Sequence, residues 1–355
     1  MKWAYFFLIL LVLGVNYFFN PMELVTTRNW NAVYYGSSII AFLYALFIGK
    51  KFPASKGVLT ATWILVLSIL FSSVMAAPYR QQSFMDTFTA TLGPFFSYLS
   101  FFTFMKLKVP PRLVIRFLLI ICTLSILMYI CNYKTFPYEM FGGYNEIRDG
   151  DDSRAGLMRV TVPMLNGMVV MIFYGLQQWF GYKKRRWIVP VFVFYFMLVI
   201  SLWRQVMGYT LLLGLLYVLK SASWKIRIIS VGAMVAFAIF VLPKIELYQD
   251  LKEITENQAS DAGDDVRVQD YTFWGNSYQA SDLTRVFGNG SPYGHSIWGL
   301  EISSLSRDEN LTRVDCAWVG FYWTYGIFAP LALIYIIYKA FRSARGKNKA
   351  YIRLG

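Results

Sequence analysis

Arg204 is the residue whose type and place are hardest to explain as plain surface chemistry. It lies in Trp203-Arg204-Gln205, between apolar runs 187–203 and 206–219 whose far flanks are both strongly basic. A guanidinium presents a planar fork of donors that matches phosphate oxygens two at a time. The same chemistry recurs in two long polar stretches, at Arg154 and Arg159 in 132–160 and at Arg267, Arg285, Arg307 and Arg313 in 244–316. Arg267 stands apart because Tyr271, Trp274, Asn276 and Tyr278 follow it. Aromatic faces beside polar groups suit a sugar-binding wall, although they also anchor ordinary interfacial loops. Asn289, in Phe287-Gly288-Asn289-Gly290, and His295, in the loop Pro292-Tyr293-Gly294-His295, are further binding candidates, with Glu301 a weaker one. Asp315 opens the last apolar run in Arg313-Val314-Asp315-Cys316-Ala317-Trp318. A carboxylate partly desolvated there suits a general base; equally, it pairs with Arg313 or caps the helix start.

The elements that must hold these groups are apolar. The chain is 57% hydrophobic and 19% aromatic. Runs of roughly 17–25 apolar residues span the ~30 Å hydrocarbon layer. About ten such runs are present, allowing for some shorter ones, at 3–19, 31–49, 58–77, 87–105, 113–131, 161–179, 187–203, 206–219, 228–243 and 317–338. The polar gaps between them alternate. One set, including Lys2, Lys50–Lys56, Lys106–Arg116, Lys183–Arg186, Lys220–Arg227 and the tail, holds 21 of the 34 Lys+Arg and none of the 20 Asp+Glu. Cytoplasmic loops are enriched in Lys and Arg, so that set faces the cytoplasm and both termini lie inside. All 20 acids, the candidate arginines and Asp315 then face outward. The 187–219 segment must leave and return within its length, so each arm is only ~24 Å long. Arg204 at its turn is expected below the outer surface. A guanidinium at mid-bilayer costs about 2.5–3.5 kcal/mol, less near the edge, and calls for a polar cavity with an anionic partner. The alternative is an arginine snorkelling to the interface.

Several function classes fall away on composition. The cations are scattered over short segments, which fits topology and anionic lipid rather than nucleic acid. Lys2 precedes an apolar run, but no small-residue cleavage site follows, so the run reads as a retained helix. Cys122 and Cys131 fall on opposite faces of one helix and Cys316 is a third, so no disulfide framework is implied. One histidine leaves too few ligands for an ordinary zinc site. In the second long stretch, residues 244–257 suit a surface helix, and Phe287-Gly288-Asn289-Gly290 reads as a helix stop and tight turn. Pro94 and Pro190 are expected to kink their helices. The expected fold is therefore all-α: a single integral membrane domain over 1–355 with about ten transmembrane helices and external loops 132–160 and 244–316.

These features together resemble the bacterial O-antigen polymerase and O-antigen ligase superfamily. The stretches that carry the likeness are Ser201–Gln205, Arg267–Trp274 and Phe287–Gly290. To these are added the closing block, Asp315–Trp318 leading to Tyr325-Gly326-Ile327, and the opening Arg154-Ala155-Gly156. The resemblance implies a lipopolysaccharide-type glycosyltransferase in the inner membrane that works without a cofactor or an obligatory metal. It would move a glycan from undecaprenyl pyrophosphate to an acceptor sugar hydroxyl on the outer face, with a chain-length regulator as a possible partner. By the same resemblance Arg204 and Arg267, with Arg154, grip the pyrophosphate. Ligases that pass glycan to lipid A–core usually carry a histidine at the head of the closing block. Asp315 occupies that position here, which favours a polymerase.

Other classes predict different patterns. A transporter or flippase places ionisable groups within its spans and often shows repeated halves. No acid falls inside the runs named above, and the polar mass is late and external. A membrane acyltransferase would want a histidine in or near the membrane, whereas His295 is in an external loop. A scaffold would leave a recessed arginine unexplained.

Overall fold

The computed structural model describes residues 27–47, 56–107, 109–135, 140–141, 153–154, 157–158, 164–200, 204–221, 224, 228, 266–309, 311, 313 and 318–343. Within these the chain is all-helical apart from a two-residue antiparallel pair, β1 (Ser153–Arg154) with β2 (Leu157–Met158). The expected runs 3–19 and 228–243, and the surface helix at 244–257, lie outside the described residues.

Four long helices come first: α1 (Thr27–Phe47), α2 (Lys56–Arg80), α3 (Phe84–Leu107) and α4 (Pro111–Thr135). Two stretches, Gly57–Arg80 and Pro111–Thr135, are long and apolar enough to cross a membrane. Their hydroxyls do not need water: Thr62 donates to Val58 O, Ser72 and Ser73 to Ile69 O, and Ser125 to Ile121 O, each at 2.8–2.9 Å. Such back-bonding satisfies a polar side chain within its own helix. Pro94 lies inside α3, and Pro78, which periodicity did not flag, lies inside α2.

By contacts the chain divides into two compact units. One comprises 12–33, 109–257 and 340–355. Its core is built by α4, α5 (Leu165–Leu176), α6 (Ile188–Ile200) and α7 (Arg204–Ser221). Met168, Met171, Ile172, Phe173, Phe194 and Leu198 are almost fully buried there. α5 runs on as a π-helical turn, Gln177–Gly181, and the basic cluster Lys183–Arg186 makes the connection to α6. Pro190 falls in the first turn of α6, where no intrahelical donor is lost, so it starts that helix rather than bending its middle.

The other unit comprises 1–11, 34–108 and 258–339. It contains α2 and α3 with three short helices from the second polar stretch: α8 (Val266–Thr272, continuing as a π turn Phe273–Ser277), α9 (Asp282–Phe287) and α10 (Ile297–Asp308). Ser281 caps α9 in a capping box with Thr284, and Ser296 caps α10 by accepting from Gly299 N. The apolar run expected to be one continuous helix at 317–338 is interrupted. Gly326 sits at φ 76 and separates α11 (Trp318–Tyr325) from α12 (Phe328–Ser343).

That interruption and the predicted Gly-Asn-Gly turn are two sides of one contact. α9 ends at Gly288 with φ 89, and Gly290 has φ 86. Asn289 N and Gly290 N donate to Trp323 O and Thr324 O at 3.0 Å, and Ile327 N donates to Arg285 O at 3.1 Å. A Cβ on Gly288 would lie 2.3 Å from Thr324 O, and one on Gly326 would lie 2.2 Å from Val286 O. Only glycine permits both the positive φ and this backbone approach.

Candidate functional site

The structure centres its polar chemistry on a residue that local patterns passed over. Arg80 ends α2, and its guanidinium reaches into the 266–309 segment. Nε and Nη2 donate to Asn289 Oδ1 at 3.2 and 2.9 Å, and Nη2 donates to Tyr278 O at 2.7 Å. Aromatic rings surround the cation: the guanidinium carbon lies 4.4 Å from the Tyr278 centroid, 5.5 Å from Trp298 and 5.7 Å from Trp323. Cation–π attraction of this kind strengthens as water is excluded. Among the described residues no carboxylate lies within ion-pair distance of Arg80; burial lowers its pKa, and the Glu301 carboxylate, acting on it as a charge, partly offsets that lowering.

Neighbouring groups fix that arrangement. Asn289 is fully buried, and its Nδ2 donates to Gln279 Oε1 at 2.9 Å and to Trp323 O at 3.1 Å. Trp323 Nε1 donates to the same Tyr278 carbonyl that Arg80 uses, at 2.9 Å. Gln82 is 2% exposed and uses both ends of its amide. Its Nε2 donates to Thr87 Oγ1 and Ser291 O, and its Oε1 accepts from Tyr293 N and Ser296 Oγ. Gln81, between these two residues, adopts φ 52, so the α2–α3 turn carries local strain. Arg313 adds a second cation. Its Nη1 donates to Thr324 Oγ1 at 3.0 Å, and its guanidinium carbon is 5.5 Å from the Trp323 ring. Burial lowers its pKa.

The Tyr278 hydroxyl donates a short hydrogen bond to Glu301 Oε1. Burial, and then that carboxylate, push the Tyr278 pKa up to about 12, so the phenol stays a neutral donor. Glu301 and Tyr278 therefore stand together on the exposed side of the cage.

The residues singled out by sequence divide between the two units. Trp274 and Asn289 join the Arg80 cage. Trp274 is fully buried with its ring against Phe273, Tyr278 and Trp323 at centroid distances of 5.0–5.4 Å, so it packs rather than offering an open face. Asn289 is the amide that holds Arg80. Tyr271 is exposed on α8 and Asn276 on the π turn that follows it, and His295 is exposed with its ring 5.5 Å from Tyr293. Arg267 lies in α8, Arg204 is the first residue of α7 and Arg154 belongs to β1. The side chains of these three, and all of Arg159 and Asp315, lie outside the described residues. Arg80, Gln82 and Trp323 were missed. The one signal for Arg80 was a lone arginine in Ala77-Pro78-Tyr79-Arg80 closing a long apolar run.

The chain matches no protein-family model, no curated protein and no solved structure.

Proposed function

We propose that this chain is an O-antigen-like polysaccharide polymerase of the bacterial inner membrane. On this reading it transfers an undecaprenyl-pyrophosphate-linked glycan to an acceptor sugar hydroxyl on the periplasmic face. The observation that carries the reading is Arg80: a cation at the end of a membrane-length apolar helix, gripped by rings and amides of the segment before the last helices, with no ion-pair partner among the described residues. Supporting it are the charge asymmetry of the polar gaps and the apolar stripes left exposed. On α6, Val189, Phe192 and Phe196 are each more than 60% exposed, a pattern that suits lipid and not water. About ten spans then place both termini in the cytoplasm and the Arg80 cage outside.

The step is a displacement at the donor's anomeric carbon. The acceptor oxygen bonds to that carbon as its bond to the pyrophosphate oxygen breaks, and undecaprenyl pyrophosphate leaves with the electron pair. Asp315 takes the acceptor's proton. By the resemblance, Arg204 and Arg267 stabilise charge building on the bridging oxygen, and Arg154 and Arg159 bind substrate. Exposed Tyr271, Asn276 and His295 border the sugar path. Charge-assisted hydrogen bonds contribute about 1.5–3 kcal/mol each, and ~1.4 kcal/mol is a factor of ten in rate.

The test is Arg204→Ala in a strain lacking the wild-type gene. Chain extension is expected to fall by at least about tenfold, with membrane insertion unchanged. Long polysaccharide ladders from that strain would remove Arg204 from the reaction.

A further inference from the structure

We infer that Arg80, Tyr278 and Glu301 form a binding site for adjacent hydroxyls of an uncharged sugar. Taking that sugar to be the acceptor rests on the function proposed above. Tyr278 holds two opposite charges, one at each end. Its carbonyl accepts from Arg80 Nη2 at 2.7 Å, and its hydroxyl donates to Glu301 Oε1. The two charges stay beyond ion-pair distance, although Glu301 is near enough to act on the guanidinium. Opposite charges so placed attract, and left to themselves they would close into a pair.

Both charges are held back by defined partners. Asn289 Oδ1 takes Nε and Nη2 of Arg80, so the guanidinium offers its Nη1 edge to an incoming acceptor. Glu301 lies on α10 one turn after Trp298, whose ring flanks the cation at 5.5 Å. That helix is itself tied to the α2–α3 turn, because its cap, Ser296, donates to Gln82 Oε1. The Tyr278 hydroxyl fills one lone pair of an exposed carboxylate and leaves others for an incoming donor. A group entering between the charges must therefore donate to a carboxylate and accept from a guanidinium. A sugar hydroxyl does both, and two neighbouring hydroxyls on one ring do so from a rigid frame. A phosphate would satisfy Arg80 and be repelled by Glu301, and an amine meets the reverse conflict. The rings of Tyr278, Trp298 and Trp323 are already engaged with the cation, so this edge selects by hydrogen bonds.

The test is saturation-transfer NMR on the full-length protein in lipid nanodiscs, with maltotriose as the probe. Maltotriose carries neighbouring ring hydroxyls and no charge. Its signal should persist in excess inorganic phosphate, and its affinity should fall about tenfold in Glu301→Gln. That substitution is exposed and keeps the side-chain size, so thermal unfolding should not move. Tyr278→Phe removes the hydroxyl that holds Glu301, lets the carboxylate close on Arg80, and should lower affinity at least as far. No maltotriose signal, displacement by phosphate, or unchanged affinity in Glu301→Gln overturns the inference. Glycan extension by Glu301→Gln with an unchanged KM for the acceptor would refute the site and keep the polymerase reading. Glu301-dependent sugar binding by a protein that extends no glycan would do the reverse.

Discussion

The α5–α7 core and the 266–309 segment reach order by opposite means. In the first, Met168, Met171, Phe173 and Leu198 fill space with groups that have no directional preference. Such a core accepts swaps of similar volume at modest cost. In the second, Arg80, Gln82 and Asn289 each serve several defined partners, and backbone meets backbone at Gly288 and Gly326. Directional bonds leave a buried group unsatisfied when one partner is removed, so that region is specified atom by atom. Apolar packing suffices for a scaffold. A site that must hold a cation in fixed geometry needs the costlier kind of order.

The sharpest way to break this contrast is to add one methyl group to each region. Gly288→Ala meets a carbonyl oxygen at 2.3 Å with φ 89, and neither can yield. It should cost roughly 3 kcal/mol or more and open 266–309 to protease. Gly175→Ala in α5 meets Val191 Cγ2 at 2.4 Å, a side chain that can rotate, and should cost about 1–2 kcal/mol. Equal losses in thermal unfolding would erase the distinction.

A smaller effect separates the regions by pH. The Tyr278 pKa is raised from 10.0 to about 12, so the fold favours the neutral phenol. Its contribution is complete below pH 10 and is lost as pH rises toward about 12. Tyr278→Phe should cost about 1 kcal/mol at neutral pH and flatten the alkaline loss of protease resistance in 266–309. An unchanged alkaline profile in the variant would assign that loss to another group.

The helices were legible because apolar runs of membrane length leave few alternatives. α1 to α7 fall on the expected runs at 31–49, 58–77, 87–105, 113–131, 161–179, 187–203 and 206–219, but among the described helices only the stretches Gly57–Arg80 and Pro111–Thr135 are long and apolar enough to cross a membrane. The helix stop at Phe287-Gly288 was also legible, since glycine there signals positive φ. That Gly288 and Gly326 answer each other was not, because nothing local links positions so far apart. Arg80 was hidden for the same reason: its partners Tyr278 and Asn289 come some two hundred residues later. Trp274 looked like an open aromatic face on composition, yet three neighbouring rings bury it.

The most direct measurement is Arg80→Met, scored by polysaccharide ladder and by proteolysis of 266–309 at matched membrane levels. Losing three hydrogen bonds and the cation–π contacts should cost roughly 2–4 kcal/mol. The expected result is a shortened or absent ladder with faster cleavage of 266–309, partly restored by Arg80→Lys. Full-length ladders with unchanged cleavage would show that the caged arginine neither orders this segment nor serves glycan extension.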